Sequence, residues 1–245
     1  MVLLLLVDLD PELTALRPLG GFFLLRVRGA PAGSPPTLAE TYRGTSSDVY
    51  GNSMTFRVDK VAGSLRAPEL RVAASVAQQG LAARLWSVAL GCAVLYGRLP
   101  DLDPGLLRWN PDAGAPDDLW LTEVRPAPGD AADAVVRAHL EPLTALVHAR
   151  YRVAEGLLWG NAASALAGAA RQLERWAREQ GRTEAAVRTR ALTAGLLAHP
   201  RLAGTLDGGG RRRSCCLYYR VPGGGVCGDC CFTRPPRPSP GAASG

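Results

Sequence analysis

Five of the six cysteines in this chain fall within seventeen residues, Cys215 to Cys231, close to the C-terminus. Cys215 and Cys216 are adjacent, ten residues separate them from Cys227, and two more separate Cys227 from Cys230. Four thiolates converge there if the intervening Pro222-Gly223-Gly224-Gly225 segment turns sharply. Such a set suits a structural zinc ion or an iron–sulfur cluster, since both take soft anionic sulfur in tetrahedral geometry at each metal. Zinc ribbons pair two Cys-x-x-Cys knuckles, whereas the first pair here has no spacer. Adjacent side chains diverge along an extended strand and chelate one ion poorly. A dinuclear iron centre spreads its ligands over two metals, so the spacing favours iron–sulfur modestly and leaves zinc open.

Cysteines crowded at one end do not tie distant segments together, which argues against a disulfide framework. The 245-residue chain is long enough to bury a core without staples. Its start, Met1 to Val7, is apolar, but Asp8, Asp10 and Glu12 interrupt it and no basic segment precedes it, so it reads as core and not as an export signal. The apolar run Leu85 to Tyr96 is shorter than the ~18 residues a membrane span needs. A cytoplasmic protein with at most peripheral membrane contact is expected. The net charge is +6, carried by arginine with Lys60 as the only lysine. Arginines and acids alternate through most helical segments, which predicts a mixed solvated surface and no nucleic-acid partner.

Helical periodicity dominates the rest. A helix opens at Pro68 and is expected to close at Gly80, and a second, apolar nearly all round, covers Leu81 to Tyr96. A third covers Asp130 to about Tyr151, with a kink or break at Pro142. Ala154 to Gln180 carries Leu158, Leu166, Leu173 and Trp176 on one stripe and ends before Gly181; Thr183 to His199 is the last. Strands are expected at Gly21 to Gly29 and Asp118 to Val124, with a weaker one at Leu106 to Trp109, and a loop at Pro31 to Pro36. The fold class is therefore α+β, mainly helical, with a few short strands and a small cysteine-rich lobe. Its divisions are a body at 1–203, a glycine-rich linker at 204–210, the lobe at 211–234 and a disordered Pro/Ser/Gly tail at 235–245.

The pattern Cys-Cys, ten residues, Cys, two residues, Cys, set in Arg212-Arg-Ser-Cys-Cys-Leu-Tyr-Tyr-Arg-Val-Pro-Gly-Gly-Gly225, closely resembles the C-terminal [2Fe-2S] signature of the FhuF-type ferric-siderophore reductases. Leu158-Trp159-Gly160-Asn161-Ala162-Ala163-Ser164-Ala165-Leu166 and Arg84-Leu85-Trp86 also resemble helical segments of that family. The resemblance implies a cytoplasmic siderophore-iron reductase that passes one electron from a [2Fe-2S] cluster to a bound ferric siderophore. It maps the cluster ligands onto Cys215, Cys216, Cys227 and Cys230. Cys231 departs from the pattern as a fifth thiol, read as a bystander. Arg211, Arg212, Arg213 and Arg220 would raise the cluster potential and attract an acidic, ferredoxin-like electron donor or an anionic siderophore; plain balancing of a tetrathiolate's charge accounts for them equally. Arg84, Trp86, Trp159 and Asn161 are assigned to the siderophore-facing surface, against the plainer reading that both tryptophans pack between helices.

Other signals are discounted. Gly223 to Gly228 fits G-x-G-x-x-G, but no strand precedes it and a cysteine lies inside it, so electrons are expected from another protein and not from a bound nicotinamide. Cys92 reads as a buried thiol, and His139, His148 and His199 as structural or surface residues. Two rival functions remain: a zinc-stabilised interaction or nucleic-acid-binding module, and a siderophore-binding protein that exchanges no electrons.

Overall fold

The computed structural model describes residues 9–27, 35–44 and 52–236. The apolar start, residues 28 and 29 of the expected first strand, part of the proline loop and most of the tail lie outside them.

Local capping chemistry sets the first helices. Helix α1 (Leu38–Arg43) starts in a reciprocal capping box: the Thr37 hydroxyl accepts from the Glu40 N–H and the Glu40 carboxylate accepts from the Thr37 N–H. Helix α2 (Ser53–Leu65) starts at Asn52, whose side-chain oxygen accepts from the N–H groups of Met54 and Thr55. Neither helix was anticipated. Helix α3 (Leu70–Leu95) is one element and not two. Gly80 does not end it, because burial along the helix outweighs the ~1 kcal/mol cost of one interior glycine.

The region expected as a third helix is a π-helical segment, Ala132–Leu140, running into α4 (Glu141–Tyr151). Pro142 lies in the first turn of α4, where a missing N–H costs least, and marks the change of helical pitch instead of a break. Helices α5 (Glu155–Glu179) and α6 (Thr183–Leu197) lie within a residue or two of their expected bounds. The strands are shorter than expected: β1 (Arg26–Val27), β2 (Leu107–Trp109) and β3 (Leu119–Leu121). Residues 21–23 form a turn, with the N–H groups of Phe23 and Leu24 both donating to the Gly20 carbonyl. The sheet order is β1-β3-β2, with β1 parallel and β2 antiparallel to β3. The molecule is thus mainly helical α+β.

Helix α3 is the centre: α5 lies along one side of it, α2 along another, and α6 packs on α5. Leu85, Trp86, Leu90, Leu158, Leu166 and Leu173 are buried between them, each worth ~2 kcal/mol of hydrophobic stabilisation. Arg84 fixes the sheet to α3. Its Nε donates to Asp118 at 2.9 Å and its two Nη groups to the carbonyls of Phe22 and Leu24 at 2.6 and 2.5 Å, with the side chain 1% exposed. Burial lowers its pKa and the Asp118 carboxylate opposes that. Among the described residues no helix is long and apolar enough to cross a membrane.

Candidate metal centre

The lobe begins in a turn. Within the stretch expected as a linker, the Asp207 carboxylate accepts from the N–H groups of Gly209 and Arg211, and the Asp207 N–H donates to the Arg211 carbonyl. The chain then returns across the helical body. The Arg212 N–H donates to the Asp229 carbonyl, and a short 3₁₀ turn, Tyr218–Arg220, follows Leu217, which adopts φ 70°. Glycine at 224 permits the path. A Cβ on Gly224 would stand 2.7 Å from the Tyr218 carbonyl oxygen, so the loop between the cysteine pairs closes only with glycine there. A Cβ on Gly160 of α5 would stand 2.3 Å from Ser214 Oγ and 3.7 Å from Ser214 Cβ, so a side chain there would displace the Ser214 hydroxyl.

All six cysteines are free thiols. Cys216 and Cys230 are buried; Cys215, Cys227 and Cys231 are half-buried. The Cys216 and Cys227 sulfurs lie 3.5 Å apart, and Cys231 neighbours Cys230 and Cys215. Among the described residues no three or more His, Cys, Asp or Glu side chains close on a single ion-sized point. The thiols form two neighbouring sets instead. Backbone N–H groups of Leu217 and Phe232 reach the sulfurs of Cys215 and Cys230 at 3.3 and 3.4 Å. Burial pushes the Cys215 thiol up to about 11, and Cys227 up to about 12 despite the Arg212 cation beside it.

Arg212 joins the lobe to the body. Its side chain is 1% exposed; Nη2 lies 2.6 Å from Cys227 Sγ and 3.0 Å from Asp229, and Nη1 donates to Asn161 Oδ1 at 2.7 Å. Asn161 is fully buried and donates in turn to the Ser75 carbonyl and hydroxyl and to Gln78. Ser75 also donates to the Cys216 carbonyl at 2.9 Å. A further bond joins Ser164 of α5 to Asp229. Burial disfavours the charge of Arg212, but Cys216, Asp229 and Cys227 outweigh it, so its pKa is raised.

The four residues assigned to a siderophore-facing surface lie elsewhere. Arg84 and Trp86 are buried beside the sheet and in the helical core, Trp159 is 7% exposed with Arg201 over its ring at 5.5 Å, and Asn161 lies beneath the lobe. Arg84 and Asn161 spend their hydrogen bonds on protein groups, and Trp86 is buried with its Nε1 unpartnered among the described residues, so none of the four faces an open surface. Cys92 is fully buried on α3, with burial raising its thiol pKa. His139 is enclosed between Tyr42 and the Leu102 carbonyl, and His148 and His199 bond nearby backbone. Sequence reasoning gave no role to Asp229, Ser164 or Ser75, nor to Gln79, whose Oε1 accepts from Arg212 Nη1 at 3.4 Å. Only the place of Asp229 inside Cys227-Gly-Asp-Cys230 hinted at a role.

Residues 72–209 match a family model described as ferric iron reductase FhuF-like transporter, and residues 212–232 match one described as FhuF 2Fe-2S C-terminal domain. The first covers more than half of the chain. The chain belongs to the FhuF family. No curated protein matches it. The cofactor of this FhuF lobe is a [2Fe-2S] cluster, and the residues present fit one. The donor set is all thiol, and Arg212 Nε is buried without a hydrogen-bond partner among the described residues, although the rest of its guanidinium reaches Cys227 and Asn161. A sulfur-rich anion is what such a donor lacks.

Proposed function

We propose that this FhuF protein is a siderophore-iron reductase. Cys215, Cys216, Cys227 and Cys230 hold the cluster, with Cys231 outside the ligand set, and the protein works in the cytoplasm. In this reading residues 1–203 form the siderophore-binding body, 204–210 its connection to the lobe at 211–234, and 235–245 a tail. When bound, the cluster supplies a one-electron donor. The carrying observation is the buried contact from Cys227 through Arg212 to Asn161, which fixes the sulfur site against α3 and α5.

The remaining chemistry belongs to the substrate and the chain. Hydroxamate or catecholate oxygens are hard donors to Fe³⁺, so one electron, giving Fe²⁺, lowers both charge and hardness and weakens every iron–oxygen bond. Arg212 places a cation where reduction adds negative charge, and the N–H groups of Leu217 and Phe232 donate to cysteine sulfur; both favour the reduced state. Arg211, Arg213 and Arg234 are exposed on the lobe and suit an acidic electron-donor protein.

Anaerobic purification followed by reaction tests the reading. A red-brown protein with iron and acid-labile sulfide in equal amounts should, once reduced with dithionite and freed of it, transfer one electron to a ferric trihydroxamate and yield Fe²⁺ in a ferrous trap. A colourless zinc protein, or an intact cluster that yields no Fe²⁺, refutes it.

A further inference from the structure

A cleft of about 440 Å³ lies where α3, α5 and the cysteine lobe meet. We propose that it is the seat of the ferric chelate, an inference that rests on the reductase reading above.

The cleft exists because both helices turn small residues toward it. Ala83 on α3 and Ala165 and Gly168 on α5 form its floor, spaced so that one face of each helix is exposed to it. Amide and hydroxyl groups border it: Gln79, at i−4 from Ala83, and Gln172, four residues beyond Gly168, edge the opening, and the buried Ser87 lies at i+4 from Ala83. Phe22, 44% exposed, adds an apolar ring, and Arg171 adds a cation. Apolar surface with a few placed polar groups is the usual make-up of a site for an organic ligand of this size. An iron chelate presents that profile, an organic periphery edged by amides and oxygens.

The third wall makes the site redox-competent. It is Gly228-Asp229, the two residues between Cys227 and Cys230, so a molecule in the cleft touches the peptide that joins two of the proposed ligands. Gly228 is exposed and a Cβ there would meet nothing within 4 Å, so no side chain holds the chelate away. Asp229 is turned inward to Arg212 and Ser164, which leaves its charge spent on the protein and not on the ligand. Gln79 donates to Ser164 at 3.4 Å and closes the same corner. One electron delivered across this wall would take the Fe³⁺ of the chelate to Fe²⁺ with no covalent bond formed, and the donor protein would resupply it.

The test uses the cluster-loaded full chain and the gallium(III) complex of a trihydroxamate, which has the charge of the ferric complex but accepts no electron. Ala83→Trp fills the floor and Gln172→Trp crowds the exposed rim, the second being tolerated even if the first disturbs folding. Each should raise the dissociation constant at least tenfold by calorimetry, with the EPR spectrum of the reduced cluster unchanged as the check on integrity. Val187→Trp, at an exposed site on α6 away from the cleft, should bind as the parent does. Equal binding by parent and both cleft variants overturns the assignment while leaving the reductase reading intact. Weakened binding in the variants, together with no Fe²⁺ from the ferric complex in the parent, keeps the seat and removes the reductase. No binding by the parent removes both.

Discussion

Replacing Arg212 by Gln tests whether the buried guanidinium at the junction of lobe and body sets the potential of the cluster. The substitution removes a cation 2.6 Å from Cys227 Sγ that is almost wholly screened from water. Taking the added electron as ~5 Å from the guanidinium in an effective dielectric of ~20, Coulomb's law gives ~3 kcal/mol of lost stabilisation of the reduced state. At 59 mV per tenfold for one electron that corresponds to ~140 mV. Exposure of Gly228 and of the outer sulfurs screens part of this, so the midpoint should fall by about 50–100 mV. Arg212→Lys keeps the charge and should recover most of that fall while losing the forked contact to Asn161 and Asp229. The assay is a redox titration of the cluster monitored by EPR, with iron and sulfide per chain measured on each variant. A midpoint in Arg212→Gln that is unchanged or higher at full cluster occupancy would refute the argument. So would Lys and Gln shifting it equally, which would make the effect one of packing and not of charge.

Cys227→Ser should lower iron per chain and bleach the visible spectrum, whereas Cys92→Ser should leave both intact and cost ~1–3 kcal/mol of stability through a buried hydroxyl; equal bleaching by the two would overturn the ligand set. His139 is neutral in the folded protein, its pKa pulled down to about 4 by burial, against an ordinary value of 6.5. As pH falls the unfolded chain takes up the proton first. This contribution is therefore complete above pH 6.5 and is lost between there and about pH 4, by at most ~3 kcal/mol. Urea unfolding at pH 7 and pH 4.5 should show a smaller loss in His139→Gln than in the parent, and equal losses would contradict it.

The long helices were legible because their apolar stripes repeat at the helical period, which is why α5 and α6 lie close to their expected bounds. Gly80 misled because a glycine terminates a helix only where the chain adopts a positive φ or the packing ends, and along α3 neither happens. The cap at Asn52 and the box at Thr37 and Glu40 were visible as residue types, yet neither was matched to a strong apolar stripe downstream. The cysteine spacing announced the metal chemistry, since thiols that share a cofactor lie near one another in the chain. The contacts that seat the lobe could not be read so. Ser75, Asn161 and Arg212 are separated by scores of residues, and only the packing of α3 against α5 brings them together. Asn161 was picked out for the right neighbourhood and the wrong reason: it holds an arginine beneath the sulfurs.

That placement ties a lobe entered through a glycine-rich turn to the helical body. Cys215 and Cys227, raised to about 11 and about 12, are thiols at neutral pH, and in the proposed ligand set each would release its proton on binding the cluster. A flexible lobe would have to gather its own countercharge at that moment. Here the guanidinium already stands at Cys227, held by an amide that is itself held by Ser75 and Gln78 of α3. The positive charge is thus a lobe residue anchored to the helical body through Asn161, and in the proposed reading it would stabilise newly formed thiolates and the reduced cluster alike. Those helices, α3 and α5, supply two walls of the cleft, so the residues fixing the redox site and those proposed to receive the chelate shift together when the helices move.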